Sequence, residues 1–147
     1  MTFDELARKL ESSASRTFGH GVSEDDIRAA SARLGVSLTG GYLRFLRRFG
    51  WGGVGSFELF GLGADVPPYL HLVTVTESER TEVRPRLPSH LIPLMNDGGG
   101  NLYCLDVRSA GEPAVVFWDH EASEEQSPEP VASDFISWLA NRLEQPD

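Results

Sequence analysis

The run Asp97-Gly98-Gly99-Gly100-Asn101 is the sharpest candidate for chemistry in the sequence. A glycine-rich turn can present successive backbone N–H groups to an anion, as phosphate-binding loops do. This run lacks the lysine and Ser/Thr of a P-loop, no helical pattern follows it, and its glycines do not have dinucleotide spacing. It therefore predicts a tight hairpin turn. Asp97, Asp106, Asp119 and His120 together could offer a hard cation the oxygen ligands it prefers, and they fall near the ends of neighbouring strand candidates. No two of them have a recognised ligand spacing, so the expectation is solvated turns and no metal. His20, His71, His90 and His120 are scattered without an HExxH-like pair. Cys104 is the only cysteine and sits inside Leu102-Tyr103-Cys104-Leu105, where a buried, inert thiol is expected. No serine lies in a Gly-x-Ser-x-Gly elbow. Two carboxylates can meet from anywhere in a fold, so an acid–base pair stays open, but no motif supports an enzyme. The sequence thus predicts no catalytic residue, no cofactor and no metal ligand.

The elements that would position these residues change character along the chain. Thr2 with Glu5 has capping-box spacing, and Phe3, Leu6 and Leu10 recur on one face of a first helix that Gly19-His20-Gly21 should break. Ser23 begins a second helix, with Glu24, Asp25 and Asp26 at its positive end, a stripe of Ile27, Ala30, Ser31 and Leu34, and Gly35 as its stop. Thr39 is the expected cap of a third, in which Tyr42, Phe45, Leu46 and Phe49 share a face. After the glycine-rich stretch 51–55 the period shortens. Residues 57–60, 91–95, 102–107 and 114–119 read as strands, the middle pair joined by the Asp97–Asn101 turn and the last pair by Ser109-Ala110-Gly111-Glu112. Residues 69–80 suit either element by pattern, and Pro67-Pro68 before them tilts the reading to helix. Residues 120–132 carry no apolar period and predict an exposed loop, after which Ser133 caps a closing helix bearing Phe135, Trp138, Leu139 and Leu143. The expected fold class is α+β, a mostly antiparallel sheet of about four strands with helices packed beside it, in one domain over residues 1–147.

At 147 residues, 40% hydrophobic and 24% charged, the chain is long enough to bury a core without disulfide or metal staples. Met1 to Glu5 does not read as a signal peptide, no apolar run reaches bilayer length, and a lone cysteine suits a reducing compartment, so a cytoplasmic protein is expected. The net charge of −9 is unevenly spread: residues 1–50 hold six acids against eight bases, whereas residues 112–147 hold nine acids and Arg142 alone. Such a field disfavours direct nucleic-acid or anionic-membrane contact and would steer a basic protein partner, or it serves only to keep the chain dissolved. Asp119, Glu121, Glu124, Glu125 and Glu129 are the acids expected to face that partner. Trp51 and Tyr69 fall in turns, where an aromatic is either an interface anchor or a lid on the core.

Several segments taken in order resemble one family: Arg33-Leu34-Gly35-Val36-Ser37-Leu38, then Tyr42-Leu43-Arg44-Phe45-Leu46, a glycine-rich turn, Leu91-Ile92-Pro93-Leu94, Asp97 to Asp106, Val115 to His120, and Ser133 to Leu139. They look like the SUKH superfamily, which includes yeast cell-wall assembly regulators of the Smi and Knr type and bacterial immunity proteins encoded beside polymorphic toxins. The resemblance covers about residues 20–143. It departs at Leu38-Thr39-Gly40-Gly41-Tyr42, where the family usually has Leu-Pro and an acidic residue before the aromatic. It implies an α+β fold, no catalytic residues, and protein binding, commonly inhibition of a toxin that is often a nuclease. The readings that follow are an immunity protein against a basic toxin domain, a SUKH-type regulatory or scaffold module, and, from another class, an enzyme built around Asp97, Asp106 and His120.

Overall fold

The computed structural model describes residues 1–108 and 110–145. Helix α1 (Phe3–Ser12) opens with the full capping box: Thr2 Oγ1 accepts from Glu5 N–H and the Glu5 carboxylate accepts from Thr2 N–H. Its apolar face buries Phe3, Leu6, Ala7 and Leu10. It ends at Ser12, short of the expected break at Gly19, because Arg16–Phe18 forms a short strand, β1. Helix α2 (Glu24–Leu34) starts on the Ser23 hydroxyl and stops at Gly35 as expected. The guanidinium of Arg80 donates to Leu34 O at 2.7 Å and Ser89 O at 3.0 Å, placing a cation on the carbonyl end of α2.

Helix α3 (Gly40–Arg48) corrects one expectation, because Thr39 makes no side-chain capping bond. The carboxylate of Glu112, arriving from the connection between two later strands, accepts from Gly41 N–H at 3.3 Å. Gly40 has φ +69°, and any Cβ there would collide with that carboxylate. The acid missing at this helix start is thus supplied from elsewhere in the chain.

The strands form two antiparallel sheets. The smaller is β1, β2 (Gly52–Val54) and β3 (Phe57–Leu59); the larger is β4 (Leu91–Asn96), β5 (Leu102–Asp106), β6 (Ala114–Trp118) and β7 (Pro130–Ala132), in that order. The Phe57 strand therefore belongs to the small sheet, and the fourth strand of the larger one comes from the end of the segment expected to be loop. Phe60 N–H donates to Leu94 O at 2.8 Å and links the sheets. Helix α4 (Leu72–Thr81) follows a 3-10 turn over Pro68–Leu70, so residues 69–80 are helical except His71, which is extended and bridges to Gly61. Helix α5 (Phe135–Leu143) is capped by Asp134, which accepts from Ser137 N–H at 2.7 Å, one residue later than the expected Ser133.

Successive β5 side chains point to opposite faces. Tyr103 meets Trp138 of α5 at 5.5 Å between centroids, whereas Cys104 lies within the field of Glu79 of α4. The larger sheet is thus covered by α5 on one face and α4 on the other. Tyr42, Phe45 and Phe135 pack at 5.5–6.1 Å where α3 meets α5, and the buried Tyr42 hydroxyl donates to Phe60 O at 2.7 Å. Phe45, Phe49, Phe57, Phe60, Phe135 and Trp138 are core residues, and Phe117 is half-buried.

Candidate protein-binding site

The turn between β4 and β5 closes on its own side chains. The Asp97 carboxylate accepts from Gly99 N–H at 2.8 Å, Asn101 N–H at 3.1 Å and Asn101 Nδ2 at 3.0 Å. Asn96 Oδ1 accepts from Gly98 N–H at 2.8 Å and Gly100 N–H at 3.3 Å. With every glycine N–H satisfied internally, the turn has no donors aimed at an anion, and the hairpin reading stands. Burial pushes the Asp97 carboxyl up, but the Gly99 and Asn101 donors outweigh it and hold it below the usual aspartate value.

Asn101 then reaches the next connection. Its Oδ1 accepts from His120 N–H at 3.0 Å and lies 2.7 Å from His120 Nδ1, which sets the imidazole over Gly100. Asp97 and His120 therefore share one end of the sheet. Asp106 lies at the opposite end of β5, paired with Arg108 at 2.7 Å, and Asp119 turns back to accept from Glu121 N–H at 2.9 Å. The four residues are not brought together, and among the described residues no group of three His, Cys, Asp or Glu side chains is arranged to hold a metal. The alternative centre of Asp97, Asp106 and His120 loses its geometry for the same reason. Cys104 is buried, and burial pushes its thiol well up, so it is a poor nucleophile.

Beyond His120 the backbone is ordered by Gln126, whose side chain accepts from Asp119 N–H at 3.1 Å and donates to Asp119 O at 2.8 Å. This arrangement leaves Glu121, Glu124, Glu125 and Glu129 exposed. Glu124 stands 4.0 Å from Arg84 and Glu121 3.7 Å from His120 Nε2; Glu125 and Glu129 have no ion pair among the described residues. Asp119 is half-buried and engaged in its turn, so its carboxylate belongs to the loop's scaffold more than to its surface.

Of the two turn aromatics, only Tyr69 is exposed, at 61%. Its hydroxyl donates to Glu58 at 2.8 Å. Trp51 is 8% exposed and its indole N–H donates to Asp65 at 3.0 Å, which makes it a lid on the core and corrects its place among the interface anchors. Burial was available to Trp51 because Asp65 gives its one polar atom a partner.

Tyr69 stands beside a groove of about 600 Å³ between β3, the 3-10 turn, α4 and the β4–β5 turn. Phe57 and Phe60 contribute apolar surface, and Glu58, Glu79 and Asp97 bring carboxylates. Burial raises the Glu79 carboxyl above the usual glutamate value, partly countered by the field of His120. Sequence reasoning missed Glu58 and Glu79. A readable sign existed for Glu79: it continues the buried stripe of Leu72 and Thr76, where an apolar side chain is the usual occupant. The His120 ring lies over Gly100 and its backbone N–H donates to Asn101 Oδ1, so the β4–β5 turn that lines the groove also adjoins the acidic loop.

No described helix is long and apolar enough to cross a membrane. A comparison with curated proteins returns no match. Among solved structures, the crystal structure of a protein from Pseudomonas syringae pv. tomato is similar in fold, with a TM-score of 0.63 at 19% identity over 83% of this chain and 87% of that one. A family model described as SMI1-KNR4 cell-wall, SUKH_5, matches residues 2–144, nearly the whole length. That match over nearly the whole length shows that the chain belongs to the SUKH_5 family, described as SMI1-KNR4 cell-wall.

Proposed function

We propose that this chain is a cytoplasmic, non-catalytic immunity protein that binds and neutralises a cognate polymorphic toxin through protein–protein contact, without cofactor or metal. The observation that carries the reading is the exposed glutamate run of residues 121–129, lying next to a groove with further carboxylates. A toxin that cuts nucleic acid needs a basic surface to hold its substrate, and an acidic face of this kind is complementary to it. Glu121, Glu124, Glu125 and Glu129 steer the encounter, while Tyr69 is the aromatic anchor at the contact. The test is co-expression with the product of the adjacent toxin gene, scored for survival, with binding kinetics at two salt concentrations. Rescue with salt-dependent association is the expected result; no rescue and no complex would remove the reading. The family's SMI1-KNR4 description supports a second reading, a SUKH-type regulatory or scaffold module with a partner other than a toxin. A neighbouring gene without a toxic domain, together with a complex formed on the same acidic face, would select it.

A further inference from the structure

We infer that the groove beside Tyr69 receives an arginine side chain of the protein partner, held between Glu58 and Glu79. This deepens the proposed binding function and rests on it. Among the described residues, the carboxylates lining the groove are unequally satisfied. Asp97 is satisfied by three donors inside its turn, and Glu58 has the Tyr69 hydroxyl. Glu79 is half-buried and accepts no side-chain hydrogen bond among the described residues, and burial holds its carboxyl above the usual glutamate value. Arg142 is the only cation among the described residues lining the groove; its guanidinium lies over the Tyr103 ring at 5.2 Å, donates to Gln145 at 3.3 Å and forms no ion pair with Glu58 or Glu79.

A cation suited to this groove tolerates partial burial, reaches two carboxylates and can lie against an aromatic ring. Arginine answers each requirement. Its planar fork carries five donors, it is more weakly hydrated than lysine, and it stacks on aromatic faces. The apolar surface of Phe57 and Phe60 suits its methylene stem. A volume of about 600 Å³ leaves room beside it for an apolar neighbour from the same partner segment.

The experiment is an NMR titration of the uniformly labelled full chain with N-acetyl-arginine methylamide, run beside the lysine and citrulline analogues. Citrulline keeps the shape of arginine and removes its charge. Saturable shifts clustered at Glu58, Tyr69, Glu79 and Gly98 are expected with arginine, weaker with lysine and absent with citrulline. Glu79→Gln should weaken arginine binding about tenfold, and Tyr69→Ala, an exposed position, should weaken it while leaving the melting temperature unchanged. Shifts confined to residues 119–129, equal binding of citrulline, or parent-like affinity in both variants would overturn the inference. Its failure is separable from that of the immunity reading. If the chain rescues cells and the Glu58→Gln/Glu79→Gln variant binds the toxin as tightly as the parent, the groove assignment falls and the function stands. If the arginine analogue binds as expected and no rescue occurs, the groove stands and the toxin does not.

Discussion

Two acidic segments meet at one end of the larger sheet and use their carboxylates in opposite ways. In the β4–β5 turn, Asp97 gathers three donors within four residues and its charge is turned inward. In the β6–β7 connection, the glutamates from 121 to 129 are exposed and two of them lack any ion pair among the described residues. Donor count, more than residue type, separates an acid that holds a fold from an acid that offers a surface. The helices reinforce the point, since Glu11, Glu24 and Glu77 pair with Arg48, Arg47 and Arg33 at 2.7–2.8 Å. The formal charge of those regions is largely answered locally, whereas that of the β6–β7 connection is not.

The largest expected effect on stability is at the inward acid. Asp97→Ala removes a charge-assisted acceptor of three hydrogen bonds and should cost about 2–3 kcal/mol in urea unfolding. Because the folded Asp97 carboxyl is held below its ordinary value of 3.8, its contribution is full above that pH and disappears as acid is added through the lower folded value. The gap between variant and parent should therefore close at strongly acidic pH. A constant gap would show that the cost is packing, not charge.

Next comes the turn's backbone. Gly100 has φ +103° and a Cβ there would sit 3.2 Å from the His120 ring, so Gly100→Val should cost about 1–3 kcal/mol. Gly99 has no positive φ and its Cβ would meet only Asp97 Oδ1 at 3.5 Å, so Gly99→Val should stay within about 0.5 kcal/mol of the parent. Equal losses at both positions would contradict the turn geometry.

Glu79 provides a carboxylate of opposite sign. Its folded pKa is raised, so its protonated form favours the folded state, a contribution fully present below the unfolded value of 4.5 and lost as pH rises through the higher folded value. Glu79→Gln, neutral throughout, should melt above the parent at pH 7, with the difference vanishing below pH 4.5. A lower melting temperature at pH 7 would mean that Glu79 already has a counter-charge.

The smallest stability effect belongs to the outward acids. Replacing Glu121, Glu124, Glu125 and Glu129 with glutamine should move unfolding by no more than about 0.5 kcal/mol. The same variant should slow toxin association about tenfold at low salt and flatten its salt dependence, with little change in dissociation. Stopped-flow rates at two ionic strengths measure this, and unchanged association would separate the acidic loop from recognition.

The sequence was most legible where structure is made by neighbours. The Thr2–Glu5 box, the Ser23 cap and the Asp97–Asn101 hairpin depend on residues within a few positions, and each formed where its pattern lay. Strands β1, β2 and β7 are three residues long, too short for an alternation to register, and β2 holds two glycines while β7 starts on a proline. Trp51 stayed open between anchor and lid because its partner Asp65 is fourteen positions away. The groove was illegible as a unit because Glu58, Tyr69, Glu79 and Asp97 come from different elements, and only packing brings them to one opening.

The cap on α3 has a consequence for the order of assembly. Helices α1 and α2 carry caps three residues from the N–H groups they satisfy, so their first turns can close early and unaided. The carboxylate serving Gly41 is seventy-one positions away, on the β5–β6 connection, and closing so long a loop is entropically costly. The start of α3 therefore gains its stabilising contact only once that hairpin has docked. The caps thus divide the helices, with those of α1, α2 and α5 drawn from neighbouring residues and that of α3 from the sheet.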